Sequence, residues 1–278
     1  MNEKWLLLRQ LDTGHTKHLV AAVVLVCLWT AEGLIPLHRG RTRRLAHGGA
    51  NLGLALINAV IFQGAGIGLV WATDWGQRHQ VGLLTAVQLP VWGLWILAIL
   101  LIDGWQYFWH RINHRLPFLW RFHAVHHADA EMDATSAVRF HTGEIGFSFL
   151  ARLLVLPLLG VTVPQLLLYE AISLPVILFH HSNIRLTNNQ DRWLRWLLVT
   201  PWMHQVHHSH WQPETDSNYS SFLSIWDRLF GSFRLNPDPA TIRLGLDGWR
   251  EADWRSLPGM LKTPLRRRLP QKEKRPIR

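Results

Sequence analysis

Residues 81–114 read VGLLTAVQLPVWGLWILAILLI followed by DGWQYFWHRINH, and this stretch decides the fold. Its first part, Val81 to Ile102, carries no charged residue and is long enough to cross a bilayer as a helix. Its second part contains His110 and His114, and residues four apart lie on one face of a helix. The stretch therefore predicts a membrane helix that leads directly into a segment able to bind a metal.

Two further apolar runs precede this stretch. Residues 19–37 contain one charged side chain, Glu32, and residues 51–73 contain none. The first run begins late and no small-residue cleavage pattern follows it, which favours an uncleaved helix over a signal peptide. Glycines that suit close helix contacts in lipid occur in the second run at Gly53, Gly64, Gly66 and Gly68. About three transmembrane helices are therefore predicted before residue 103.

A fourth apolar region, residues 145–179, is interrupted by proline and glycine and predicts a helical hairpin that enters the bilayer and returns. The interrupting residues are Pro157, Gly160, Pro164 and Pro175. The densest basic loop of the membrane half, residues 39–44, faces the cytoplasm by the positive-inside rule. By the same rule everything from residue 103 onward lies on the cytoplasmic side, apart from the hairpin.

The predicted fold class is accordingly all-α, an integral membrane helical bundle with a cytoplasmic helical cap that encloses a metal site. Residues 1–102 form the N-terminal transmembrane helices. Residues 103–261 form a histidine-box domain that includes the hairpin. Residues 262–278 are a basic tail that we expect to be disordered or to lie on lipid headgroups.

Charge and cysteine content exclude several classes of protein. The formal net charge of this 278-residue chain is +10, but no nucleic-acid-binding motif accompanies the basic residues, so anionic lipid headgroups are the simpler partner. The single cysteine, Cys27, permits no intrachain disulfide, no cysteine-ligated iron–sulfur cluster and no cysteine-rich zinc site. Any metal must therefore be held by histidine or oxygen ligands.

Histidine is concentrated in three boxes with helical spacing, and 12 of the 17 histidines lie between residues 110 and 210. The boxes are His110 with His114, His123 with His126 and His127, and His204 with His207 and His208. Offsets of three and four predict that the rings of a box share one helix face. Eight imidazoles exceed the three or four protein ligands of one zinc ion, so two metal ions are the natural count.

The ligand type alone does not choose the metal, because imidazole suits zinc, copper, iron and nickel. A membrane-embedded site that faces apolar substrates favours redox-active iron, since oxidation of an unactivated C–H bond needs dioxygen and a redox metal.

Residues near the boxes have further candidate roles. Asp103 lies seven residues before the first box, where its carboxylate can accept the free N–H of a ligating imidazole; a helix cap is the alternative. His141 is a candidate ligand or substrate-side residue. Of His180 and His181, we expect His181 to complete the metal set. Asn183 is a candidate for orienting a water molecule or a ligand.

Together these segments resemble the fatty acid hydroxylase and sterol desaturase superfamily. The matching elements are residues 103–114, 123–127, 139–144, 181–183, 200–208, 218–219 and 226–231. The resemblance implies transmembrane helices that carry a cytoplasmic cap around two iron ions, and the use of dioxygen to hydroxylate or desaturate a lipid. It implies that the eight box histidines are ligands and His181 a ninth, whereas the family often has another residue where His180 stands. Tyr219, with Asp103 and Asn183, is predicted to take part in catalysis.

The chain contains no flavin or nicotinamide fingerprint and no haem motif of a fused cytochrome. The two electrons of such a reaction must therefore come from a separate protein, either cytochrome b5-like or a ferredoxin with its reductase. We expect a protein of the bacterial inner membrane or the endoplasmic reticulum, with zinc replacing iron in some purified preparations. The alternatives are ether-bond cleavage of alkylglycerols, a non-catalytic membrane metal carrier, and a membrane scaffold.

Overall fold

The computed structural model describes the backbone of residues 3–246 and 255–266 and the side chains of residues 19–246 and 255–266. Within these ranges the chain is helical and forms isolated β-bridges but no β-strand, which confirms the all-α prediction. The α-helices are α1 (Glu3–Leu34), α2 (Arg44–Ile61), α3 (Ala65–Arg78), α4 (Val91–Arg115), α5 (Pro117–His127), α6 (Thr142–Leu159), α7 (Val163–His181), α8 (Asn188–Leu194), α9 (Pro201–His207), α10 (Gln212–Thr215), α11 (Ile225–Leu229) and α12 (Leu257–Lys262).

Three helices of the described part, α4, α6 and α7, are long and apolar enough to cross a membrane. Residues 44–61 and 65–86 pass the same test together, but the pair is bent by 55° at the break between them. The apolar part of α1, Leu19–Leu34, is a shorter helix. The protein is thus an integral membrane helical bundle with three candidate spans, or four if the bent pair is one span.

The three spans predicted before residue 103 need correction. The first, residues 19–37, ends at Leu34, and its described apolar part is shorter than a full span. The second, residues 51–73, is broken because the backbone leaves the helix at Phe62 and resumes after Gly64, and glycine is a poor helix former. The third begins at Val91 rather than residue 81. Pro90 has no N–H to donate and stands immediately before the first helical residue, where proline is tolerated. Once begun, α4 continues past residue 103 without a break, so the membrane helices and the histidine-box region share it.

The connection before α4 packs against the turn of the predicted hairpin. Gly82 has φ +111°, and a Cβ atom there would overlap the backbone of Pro157 and Gly160, so only glycine fits. Gln77 donates through Nε2 to the Gly160 carbonyl at 2.6 Å. These contacts place the start of α4 and the turn between α6 and α7 at one end of the bundle.

The hairpin prediction is confirmed, with differences at the prolines. Helix α6 ends at Leu159 and is followed by Gly160, which adopts φ +71°. Helix α7 begins with a capping box between Thr162 and Gln165. Pro157 and Pro175 lie inside the helices instead of ending them. An ion pair that the sequence analysis did not anticipate joins α6 to α7, with 2.6 Å between Arg152 Nη2 and Glu170 Oε1.

Asp103 ties three parts of the chain together. Its Oδ1 accepts from the Tyr169 hydroxyl of α7 at 2.8 Å, and its Oδ2 accepts from the Leu223 N–H at 3.0 Å and from Trp226 Nε1 at 2.7 Å. All three bonds stabilise a carboxylate that is 1% exposed. The prediction that Asp103 orients a ligating imidazole is therefore wrong, because both oxygens are engaged elsewhere.

Glu32 and Asn183 join α1 to the end of α7. Glu32 Oε2 accepts from the backbone N–H of Asn183 at 2.9 Å and of Ala134 at 3.1 Å. The Asn183 side chain accepts from the His38 N–H and donates to the His38 carbonyl, both at 2.9 Å. The predicted role of Asn183 in orienting a water or ligand does not hold, since the backbone of His38 occupies its amide.

The predicted tail at residues 262–278 starts later than expected. Helix α12 continues into a 3₁₀ turn at Thr263–Leu265, where Thr263 is buried, and Met260 packs with Leu54 and Val125. The prediction of disorder is therefore wrong for residues 263–266, because Arg121 of α5 donates to the carbonyls of Pro264 at 3.3 Å and Arg266 at 3.1 Å. Residues 267–278 lie outside the described residues.

The Arg152–Glu170 pair yields a stability prediction. Arg152→Met or Glu170→Gln alone leaves one charge without its partner near the middle of a span, and should cost about 2–3 kcal/mol of stability. The double variant removes both charges and should be more stable than either single variant. Thermal unfolding in lipid nanodiscs measures this, with the exposed Asp74–Arg78 pair as control. Single variants as stable as the unaltered protein would contradict it.

Candidate metal centre

The box histidines lie at helix ends that converge on one another. His110 and His114 occupy the last turns of α4, and His181 is the last residue of α7. Helix α5 follows α4 after a single residue, because Pro117 is suited to the first position of a helix. Helix α9 begins in the same way with Pro201, behind a Thr200 side chain that accepts from a backbone N–H of the first turn.

The structure brings nine histidines of its described part into two groups, and the ligand nitrogens of each group lie within 4.8 Å of one another. The five-histidine group contains His110, His114, His123, His127 and His207. The four-histidine group contains His126, His181, His204 and His208. All are buried except His110, which is partly exposed. They are the eight box histidines together with His181.

The grouping follows offsets of four residues. His123 and His127 share the five-histidine group, whereas His126 between them belongs to the other group. In the third box His204 and His208 share the four-histidine group, and His207 belongs to the other. The expectation that offsets of three also share a face is therefore wrong. A ring three residues away is rotated far enough to address the neighbouring group, so each H-x-x-H-H box serves both groups and joins them.

Imidazole nitrogens face one another across the five-histidine group. His110 donates through Nδ1 to the Tyr219 carbonyl at 2.8 Å, and His207 donates through Nδ1 to the Ser217 carbonyl at 2.7 Å. A neutral imidazole has one donor, so each ring presents an Nε2 lone pair. Those two Nε2 atoms are 2.9 Å apart. Two lone pairs at that separation repel, and a cation between them removes the repulsion.

Imidazole nitrogens also face one another across the four-histidine group. His181 Nε2 lies 3.2 Å from His126 Nε2 and 3.0 Å from His204 Nε2, and 3.2 Å separates the Nε2 atoms of His204 and His208. Nitrogens bound at about 2.1 Å to one ion, at right angles, lie about 3 Å apart. His181 donates its Nδ1 hydrogen to the Ile177 carbonyl at 2.7 Å, which leaves its Nε2 to bind. The donors and their spacing fit a transition-metal ion.

Other nitrogens lack hydrogen-bond partners. Neither ring nitrogen of His127, nor Nε2 of His123, has a partner in the described part of the chain, although both rings are buried. Burial lowers the pKa of His126, His127 and His208 well below its ordinary value, and the neighbouring imidazoles lower it further. The rings are therefore neutral, which is the form that binds a metal.

Two carboxylates hold the outer nitrogens of the five-histidine group. Glu144 Oε1 lies 2.7 Å from His123 Nδ1, and Asp216 Oδ1 lies 3.4 Å from His114 Nδ1. Glu144 ends one of the segments that match the family, but no role was predicted for it. The sequence feature that could have indicated this role is a carboxylate immediately before a long apolar run. The part expected of Asp103 is thus taken by Glu144.

Two of the predicted metal ligands lie outside both groups. His141 caps α6, since its Nδ1 accepts from the Gly143 N–H at 2.9 Å, and its Nε2 lies 3.1 Å from the Leu261 carbonyl. The prediction that His141 binds metal does not hold in this geometry. The ring of His180 packs on that of His204 with 4.0 Å between centroids, but its nitrogens do not join the four-histidine group.

Tyr219 lies against the five-histidine group. Its ring centroid is 5.1 Å from that of His114, 5.8 Å from that of His110 and 5.7 Å from that of His207. Burial raises the pKa of its phenol, so the hydroxyl keeps its proton. Of the three residues predicted to take part in catalysis, only Tyr219 touches the histidines, and its role remains a prediction.

The comparisons with known proteins agree with this geometry. The fatty acid hydroxylase family model matches residues 95–232, which include all nine grouped histidines. A cholesterol 25-hydroxylase-like protein of Danio rerio is 30% identical over 186 residues, which are 65% of this chain and 70% of that protein. The chain belongs to the fatty acid hydroxylase family.

Other members of the family are similar over part of their length. Ornithine lipid hydroxylase OlsE of Rhizobium tropici is 31% identical over 178 residues, 64% of this chain and 49% of that protein. Alkylglycerol monooxygenase of Xenopus tropicalis is 32% identical over 139 residues, 50% of this chain and 30% of that protein. The chain thus spans half or less of the length of these two relatives. No solved structure matches this family member.

Glu144 provides a test of the site. Glu144→Gln removes the charge that holds the His123 ring, and should weaken metal retention about tenfold or more. The measurement is the metal left on detergent-purified protein after dialysis against a chelator. The matched control is Glu131→Gln, because Glu131 pairs with Arg255 and no histidine. Equal retention in both variants would show that the Glu144 contact does not support the site.

Proposed function

We propose that this chain is a membrane-bound di-iron oxygenase that hydroxylates a C–H bond of a lipid. The observation that carries the proposal is the pair of adjoining, buried, all-histidine groups, with five and four ligand nitrogens. One ion in each group accounts for all nine imidazoles, whereas a single ion leaves at least three of them without a function. Membership of the fatty acid hydroxylase family supports the same chemistry.

Iron is the metal we propose, because it is a redox metal that imidazole binds and it supplies activation of dioxygen when bound. The reaction inserts one oxygen atom of dioxygen into a C–H bond, and the other leaves as water after the uptake of two electrons and two protons. The chain has one cysteine and no flavin or nicotinamide fingerprint. A cytochrome b5-like protein or a ferredoxin is therefore proposed as the electron donor.

The residues of this chain hold the ligands and exclude water. Backbone carbonyls of Tyr219, Ser217 and Ile177 accept from three imidazoles, so the rings are fixed in orientation without any charge. Burial of the rings keeps bulk water from the reacting region, which favours attack on the substrate over side reactions. We propose that Tyr219, which flanks three ligands, positions the substrate or donates its phenolic hydrogen to oxygen.

The position of the centre supports a lipid substrate. Its ligands lie at the ends of α4 and α7, two of the candidate membrane spans. A lipid can therefore reach the centre from the bilayer without crossing water. The basic loop at residues 39–44 lies at this same end, because Leu37 and His38 bond to Asn183. By the positive-inside rule we propose that the centre faces the cytoplasm.

The substrate class is proposed from the chemistry of the relatives. The relatives include an ornithine lipid hydroxylase and an alkylglycerol monooxygenase, and the substrates in these two names are lipids. Hydroxylation of an acyl chain or a sterol-like ring is the main proposal. Hydroxylation beside an ether oxygen of an alkylglycerol is the second, because it uses the same C–H step and the similarity to alkylglycerol monooxygenase favours it.

The two groups predict a distinctive pattern of metal loss. His126→Ala removes a ligand of the four-histidine group only, and His207→Ala one of the five-histidine group only. Each should lower the metal content from about two ions per chain to about one, and the double variant should bind almost none. Elemental analysis of protein from iron-fed cells measures this. His79→Ala, at an exposed helix end, is the control. Full metal content in the double variant would refute the ligand assignment.

Activity is tested in membranes rather than in extracts. Cells that express the chain together with an electron donor are grown under isotopically heavy dioxygen, and their lipids are analysed by mass spectrometry. We expect lipids that carry one heavy oxygen atom with the unaltered chain, none with His207→Ala, and a strongly reduced amount with Tyr219→Phe at unchanged metal content. Two bound metals without any labelled lipid would instead support a metal carrier.

A further inference from the structure

Large apolar side chains are exposed on the part of the chain that the sequence assigns to the cytoplasmic cap. They lie in and after α8 and in α11, and their exposed fractions run from 51% to 75%. We call them the tryptophan face: Trp193, Trp196, Leu197, Ile225 and Leu229. A cluster of this kind in water is unfavourable and marks a surface that contacts a partner or a membrane.

The two segments that carry the tryptophan face are paired. The backbone N–H of Ser224 donates to the Leu197 carbonyl, and the N–H of Val199 to the Phe222 carbonyl, both at 3.0 Å. Arg228 donates to the Arg195 carbonyl at 2.7 Å. The five side chains therefore belong to a single surface rather than to two separate loops.

Contacts with the spans show the depth of this surface. The Phe222 ring lies 6.2 Å from the Tyr169 ring of α7, and the Leu223 N–H donates to Asp103 of α4. Tyr169 is twelve residues before His181, or about 18 Å along a helix. The segment at residues 222–226 therefore packs beside the interior of a candidate span, not at its end. If α7 crosses a bilayer, this segment lies at the depth of lipid.

The exposed charged residues near the tryptophan face are basic, whereas the acidic residues are buried. Arg192, which precedes Trp193, is exposed, and so is Arg185, four residues beyond the end of α7, whereas Asp191 and Asp227 are fully buried. Asp191 accepts from the Thr200 hydroxyl at 2.6 Å and pairs with Arg195, and Asp227 accepts from the backbone N–H groups of Tyr219 and Ser220. The charge presented outward is thus positive, and it complements anionic lipid headgroups.

We propose that the tryptophan face is immersed in a bilayer of anionic lipid beside α7, with Arg185 and Arg192 on the headgroups. Tryptophan is enriched at membrane interfaces because its ring is apolar and its N–H is polar, and arginine extends its charge from apolar surroundings to water. A protein partner would need its own apolar surface at that depth.

This immersion brings lipid close to the metal centre. Tyr219, whose carbonyl accepts from His110, is six residues before Ile225 of the tryptophan face. The backbone of Ser221 accepts a hydrogen bond from the His180 ring. One continuous segment, residues 219–229, thus touches histidines at its start and lipid at its end, and it forms the lipid-side wall of the site.

The test uses the fact that Cys27 is the only cysteine of the chain. In a Cys27→Ser background, Trp196→Cys and Leu229→Cys are spin-labelled and the protein is placed in nanodiscs. The collision rate of each label is measured with oxygen, which concentrates in lipid, and with a nickel complex, which stays in water. The two rates give an oxygen-to-nickel ratio for each position. Leu168→Cys on α7 is the lipid reference, and Leu235→Cys, exposed off the tryptophan face, is the water reference.

We expect the labels at 196 and 229 to give oxygen-to-nickel ratios near that of the label at 168 and well above that of the label at 235. Replacing phosphatidylcholine by a mixture with phosphatidylglycerol should raise the ratio further, and Arg185→Gln with Arg192→Gln should abolish that increase. Ratios near that of the label at 235 would overturn the proposal. Low collision with both reagents would also overturn it, because the labelled side chains would then be covered by protein rather than by lipid.

Discussion

The repulsion between buried imidazole lone pairs is the constraint on which the rest of the structure depends. His110 and His207 each give their Nδ1 hydrogen to a backbone carbonyl, so their Nε2 lone pairs meet at 2.9 Å. Neutral rings that are buried without partners also lose their hydrogen bonds to water. Cations that bind these nitrogens offset both costs. The surrounding carbonyls, and Glu144 behind His123, are arranged so that the binding nitrogens cannot turn away.

Buried acidic residues connect this centre to the membrane helices. Glu32 and Asp103 accept backbone N–H groups from distant parts of the chain, and Asp227 accepts those of Tyr219 and Ser220. Their charges are therefore stabilised by fixed dipoles rather than by water. Each one joins a loop near the histidines to a helix or to another loop. The centre and the tryptophan face are therefore held by the same contacts, and the segment at residues 219–229 belongs to both.

Much of the fold and of the site followed from local pattern. The long apolar runs predicted α4 and the α6–α7 hairpin, because a helix must satisfy its backbone within the bilayer. The box spacing predicted which histidines gather, and the structure gathers the eight box histidines with His181. The local pattern predicted the wrong helix bounds where a single proline or glycine sets the end of a helix. Pro90 delays α4, and Gly64 lies at the break between α2 and α3.

The sequence by itself determined that the chain is a helical membrane protein with a histidine-rich centre, because helical periodicity and apolar length are properties of neighbouring residues. Only the tertiary structure decided how the histidines divide into five and four, since a ring three residues from another can face a different partner. It also decided that Glu144, not Asp103, supports an imidazole and that His141 and Asn183 hold helix ends. Those roles depend on contacts between distant segments, which spacing along the chain does not contain.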